Sequence, residues 1–178
     1  RWRTNLPLAF RYLRFRGPVK DVKVVPVGRN RPVVGKIVTD RVRWAKMFDV
    51  GVRTLARCSD DFLIDGIKRD RLPWAGDLAV SLIADAYVYG DAEIARRSLS
   101  VLDAYESDVN GHVSYSMWTI VSHDLYQLYF GDLQFLKERW WRIRWRIENL
   151  ISRTAADGLV VRDFGNPFVD WAQPQSAT

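Results

Sequence analysis

Apolar and polar residues alternate through the first part of the chain and then change rhythm. Residues 8 to 16 alternate apolar and basic from Phe10 onward, the period-2 pattern of a strand with one buried and one wet face. Leu13 breaks the alternation and is read as a bulge. Gly17-Pro18 signals a turn, and Val22 to Val27 and Val33 to Thr39 add two short β-branched runs separated by Gly28 to Pro32. Three strands alone bury too little to stand as a domain. They are expected to close a β-sandwich whose other strands lie upstream, or to pack on the helices that follow.

From Arg41 the spacing becomes helical. Val42, Met47, Val50, Val52 and Leu55 predict a helix ending near Cys58, and Ser59-Asp60-Asp61 supplies turn chemistry. Further helices are expected over 78–89, 92–105, 118–129 and 135–153, with Pro73 in the first turn of the first of these. The junction Tyr89-Gly90-Asp91 recurs as Phe130-Gly131-Asp132, 41 residues later. A helix, glycine, aspartate, helix repeat of that length is the pattern of stacked αα-hairpins. The expected division is therefore 1–40, the last strands of a β-domain, and 41–178, the first part of a helical domain that needs further hairpins to close.

Composition narrows the function classes. A single cysteine, Cys58, precludes an internal disulfide and is expected to be a small buried hydrophobe. His112 and His123, 11 residues apart, make no metal-ligand cluster, and each is read as structural. No metal and no cofactor are expected. The net charge of +6 is dispersed and accompanied by no nucleic-acid-binding motif, so nucleic acid is not the expected partner. No apolar run is long enough to span a bilayer. The chain opens on Arg1 with no charged leader before an apolar core, and is read as an internal piece of a longer protein, with the cytoplasm mildly favoured. Association into a homo-oligomer stays open. Eight tryptophans and 13% aromatics favour a large aromatic core or a sugar-stacking surface.

The densest chemistry lies in Asp65 to Asp77, which holds three carboxylates, three cations and Trp74 around one proline and two glycines. A salt-bridged helix start with Trp74 as a core anchor would explain it; so would a site. Glycosidic cleavage needs an acid at the leaving oxygen and a second carboxylate across the ring, and Asp65, Asp70 and Asp77 are candidates. Arg69 and Arg71 flank Asp70, so burial or a second carboxylate has to outweigh them if Asp70 is to hold a proton. Trp118 and Trp171 follow polar loops from which an aromatic side chain can reach a cleft. Trp140, Trp141 and Trp145 are assigned to outer-face packing, with Arg142, Arg144 and Arg146 on the wet side.

This stretch resembles the signature of the bacterial and fungal α-L-rhamnosidases, six-hairpin glycosidases of glycoside hydrolase family 78. That signature commonly reads Asp-Cys-Pro-Gln-Arg-Asp-Glu-Arg-Leu-Gly-Trp-Thr-Gly-Asp. Phe10-Arg11-Tyr12 is similar to the strand that closes the family's preceding β-domain, and Asp170-Trp171 resembles a later loop of the site. The resemblance implies a mainly α chain, a partial (α/α)6 toroid preceded by a few β-strands, acting without a cofactor on terminal α-L-rhamnose with inversion. It makes Asp65, Arg69, Trp74 and Asp77 sugar-binding, joined by Trp118, Asp170 and Trp171. Arg69-Asp70-Arg71 is one residue shorter than the usual Arg-Asp-Glu-Arg, so the glutamate acid is missing as such and Asp70 is its replacement. The general base is a glutamate expected beyond Thr178, which makes the 178-residue chain by itself an expected inactive fragment. The alternatives are a carbohydrate-binding or scaffold protein that has lost catalysis, and a toroid hydrolase for another, acidic sugar.

Overall fold

The computed structural model of the chain describes residues 4, 8–68, 70–158 and 160. Among these there are five α-helices: α1 (Val42–Arg57), α2 (Ala75–Val88), α3 (Ala92–Asp103), α4 (Val113–Phe130) and α5 (Leu133–Ser152). A single 3-10 turn, Val109–Gly111, precedes α4. The helices pair as α2–α3 and α4–α5, and α2 lies along α4, so two hairpins share one core. Leu78, Leu82, Ile94, Leu99, Leu102, Val109 and Phe135 fill it and are almost entirely removed from water. No helix of the described residues is long and apolar enough to cross a membrane.

Both turns of the repeat have the same construction. Gly90 and Gly131 take positive φ angles of 61° and 64°, which a side chain would strain, and each ends a helix. Asp91 then accepts from the Ile94 amide at 3.3 Å, and Asp132 from the Phe135 amide at 3.0 Å, each capping the next helix. The glycine turns the chain and the aspartate restarts it.

The three sequence-predicted strands form no ladder among the described residues. From Leu8 to Val27 the valines and aromatics stand in solvent, because a strand without neighbours has nothing to pair its backbone with. Only the end of this segment is fastened. The Val34 and Gly35 amides donate to the Val88 carbonyl at 2.9 and 3.0 Å, and Arg31 pairs with the buried Asp85 and with Asp91 at 3.3 Å while lying 4.0 Å over the Tyr89 ring. A Cβ on Gly35 would meet the Tyr87 carbonyl at 2.1 Å, so only glycine permits this approach.

Three side chains depart from the sequence reading. Arg146 is not on the wet side: it is 2% exposed and donates to the carbonyls of Leu102 at 2.9 Å, Tyr105 at 3.1 Å and Ser107 at 3.4 Å. Those carbonyls lie at and just beyond the end of α3; the Leu102 carbonyl also accepts from the Tyr105 amide at 3.3 Å, and the guanidinium serves all three. Cys58 is half-buried rather than buried, because it ends α1 where the chain turns away; burial, then the Asp65 charge, pushes its thiol up. Pro73 is buried but precedes the helix, since Trp74 keeps an extended backbone and α2 begins at Ala75.

Candidate functional site

The motif enters from a small closed turn. Ser59 and Leu63 form an isolated antiparallel bridge, the Ile64 amide donates to the Cys58 carbonyl at 2.9 Å, and the Leu63 amide donates to the Ser98 hydroxyl of α3 at 2.9 Å. Asp65 then begins a loop that it also closes. Its amide donates to the Leu72 carbonyl at 3.0 Å, and its carboxylate accepts from the Leu72 amide at 3.0 Å. Lys68, Asp70 and Arg71 are displayed on this pinched loop, with Arg71 at a φ of 55° that a non-glycine residue adopts only under constraint. Asp70 is half-buried. Arg69 lies outside the described residues.

Beyond the loop the chain is held at the start of α2. The Trp74 amide donates to the Leu72 carbonyl at 3.1 Å, and the Trp74 carbonyl accepts from Leu78 at 2.8 Å. Asn110, from the turn before α4, accepts from the Ala75 amide at 3.1 Å and donates to the Pro73 carbonyl at 3.4 Å. It therefore caps α2 from outside, where Trp74 has no side-chain oxygen to offer. Asp77 sits exposed in the first turn of α2, where the helix dipole favours a negative charge.

An aromatic wall stands next to this loop. The Trp74 indole stacks on His112 with centroids 6.3 Å apart and 28° between planes. Tyr115 meets Trp74 edge-on at 5.9 Å and His112 at 5.3 Å. Gly76 leaves room for them, since a Cβ there would come within 3.3 Å of Tyr115 and 3.7 Å of the Trp118 ring. Trp118 is 44% exposed on the same side of α4. Asp65, Asp70, Trp74 and Asp77 thus lie along one loop and the first turn of α2, and Trp118, one turn inside α4, faces that turn at Gly76. Asp170 and Trp171 lie outside the described residues.

Sequence reasoning missed His112, Tyr115 and Asn110 as neighbours of the motif. Asn110-Gly111 was legible as a turn, and His112 and Tyr115 three residues apart at a helix start were a signal that two rings share one face. His123 is elsewhere: it is buried, paired with Asp103 at 3.0 Å and stacked on Phe135. Among the described residues no group of three His, Cys, Asp or Glu side chains is placed to hold a metal ion. The chemistry on offer is that of polyol recognition, with flat rings for an apolar face and carboxylates for hydroxyl groups.

Paired α-helical hairpins that share one core are the building units of an α/α toroid. Residues 32–178 match the family model of the bacterial alpha-L-rhamnosidase 6 hairpin glycosidase domain, and the chain belongs to that family. Among solved structures it is similar to a rhamnosidase from Klebsiella oxytoca with rhamnose bound, at 24% identity and a TM-score of 0.65. The likeness covers 75% of this chain and 29% of that one, so the chain spans under a third of its structural relative. A search of curated proteins returned no match.

Proposed function

We propose that this chain carries the acid side and part of the sugar pocket of an inverting α-L-rhamnosidase. Asp70 is the general acid that protonates the leaving oxygen. Asp65, Arg69, Trp74 and Asp77 hold the sugar, with Trp118, Asp170 and Trp171 completing its surroundings. The observation that carries this reading is the stack of Trp74, His112 and Tyr115 beside a closed loop displaying Asp70. Inversion requires a second carboxylate on the opposite face of the ring, with room between the two for a water molecule. That base is assigned to a glutamate beyond Thr178, and residues 1–40 to the end of a preceding β-domain.

The full-length protein with Asp70→Asn should fold normally, bind rhamnose and release no product from an aryl α-L-rhamnoside. The loss expected is at least about a hundredfold in kcat, the usual scale for removing a general acid. Undiminished turnover would remove Asp70 from the mechanism. A second reading is a protein that binds the sugar without cleaving it. The bond between the Asp65 carboxylate and the Leu72 amide favours it, because part of that carboxylate is spent on closing the loop. Rhamnose binding with no hydrolysis by the unmutated full-length protein would select this second reading.

A further inference from the structure

Asn110 is the point where the α3–α4 connection grips the motif. Its side chain makes three bonds: it accepts from Ala75, donates to Pro73 and donates to the Tyr105 hydroxyl at 3.2 Å. Two of them bracket Trp74 on either side in the chain, so one amide group sets the backbone from which the indole projects. The residue itself sits at a φ of 52° and is followed by Gly111 at 78°, which turns the side chain back toward α2. Asparagine tolerates that region better than other side-chain-bearing residues.

The connection is tied down at both ends and so can act as a brace. Arg146, buried in α5, holds the carbonyls of Leu102, Tyr105 and Ser107. Arg153 grips Asp108 with two bonds at 2.8 and 3.0 Å, and Ser116 donates to Asp108 and accepts from the Val109 amide, both at 3.1 Å. One end of the brace is thus tied to α5 and the other, through Asn110, to the residues around Trp74. His112, which stacks on Trp74, follows two residues later on the same connection.

Resting on the sugar-site reading above, we propose that Asn110 is the positioning residue for the aromatic wall: it fixes Trp74 against His112 and Tyr115 and so sets the platform for the sugar. It touches neither substrate nor reacting atoms. Misplacement of a binding group by even an ångström lowers turnover steeply.

The test uses the full-length protein labelled with 5-fluorotryptophan, the Trp74 signal being identified by its loss in Trp74→Phe. Asn110→Gly keeps the left-handed backbone accessible and removes all three bonds; Asn110→Asp keeps the acceptor for Ala75, lets the Tyr105 hydroxyl donate in its turn, and loses the bond to the Pro73 carbonyl. Asn110→Gly is expected to shift or broaden the Trp74 fluorine signal, leave the distant Trp44 signal in place, and reduce kcat/KM for an aryl rhamnoside about tenfold or more. Asn110→Asp should fall between it and the wild type. An unmoved Trp74 signal, or displacement of all tryptophan signals together with loss of the folded state in both variants, overturns the proposal. If the wild-type protein cleaves no rhamnoside, the functional reading fails, while the fluorine spectra still decide the role of Asn110.

Discussion

Single residues carry more of this structure than their types suggest. Arg146 is the clearest case, because its position was readable: it lies three residues after Ile143 and four before Leu150, both buried, on the core-facing stripe of α5. A charge on such a stripe signals a set of acceptors to be served, and here they are three carbonyls contributed from some forty residues earlier, which no local pattern reveals. Arg146→Met should strip the guanidinium donors from all three and cost about 3 kcal/mol, seen as a lower denaturant midpoint with an unchanged slope. Arg31 poses the related problem of a buried ion pair. Burial pushes the Asp85 carboxyl up, opposed by its bonds and charge interaction with Arg31. Arg31→Met removes that opposition and raises it further, so the ionised form is penalised in the folded state. The expected cost is about 3–5 kcal/mol at neutral pH, shrinking as the pH falls toward the ordinary carboxylate range, where Asp85 takes up a proton. A thermal unfolding series across pH checks the trend; a deficit that grew on acidification would contradict it.

At the scale of elements, the helices were legible and the strands were not. Helices signal themselves within the chain: the four-residue step from Leu78 to Leu82, and the two Gly-Asp junctions, needed no distant partner to be read. Strands depend on pairing, and the alternation from Phe10 to Arg16 finds no partner among the described residues. The repeat makes a sharp prediction because its two copies are built alike. Gly90→Ala and Gly131→Ala should each cost about 1–2 kcal/mol through the left-handed backbone, and Asp91→Ala and Asp132→Ala about 1 kcal/mol through the lost cap. Both should cost more than the cap alone, since Arg31 loses a partner with Asp91, while with Asp132 the Tyr126 hydroxyl loses its acceptor at 2.9 Å and Arg96 an ion-pair partner at 3.4 Å. A loss at Asp91 no larger than the about 1 kcal/mol of a cap, read from denaturant midpoints, would show that the Arg31 contact contributes nothing.

For the whole molecule, the proposed site is a meeting of distant segments, which explains why half of it was hidden. Asp65, Asp70, Trp74 and Asp77 sit within one motif and could be found there. Asn110, His112 and Tyr115 come from the next hairpin, and only folding brings them to Trp74. The connection they occupy is also a pH-dependent joint. The Arg153 guanidinium, first through its hydrogen bond, holds the Asp108 carboxyl below the usual range. A lowered folded value means stability that is present above the ordinary carboxylate pKa and disappears as the pH falls through the folded one. Arg153→Gln should therefore destabilise the protein by about 1 kcal/mol or less at neutral pH and by nothing once Asp108 is protonated in both states. The central claim, that this joint and the motif together form a rhamnose site, is tested most directly by calorimetric titration of rhamnose into the full-length protein and its Trp74→Ala variant. The account predicts binding that weakens about tenfold or more when the indole is removed; equal affinity of the two proteins would contradict it.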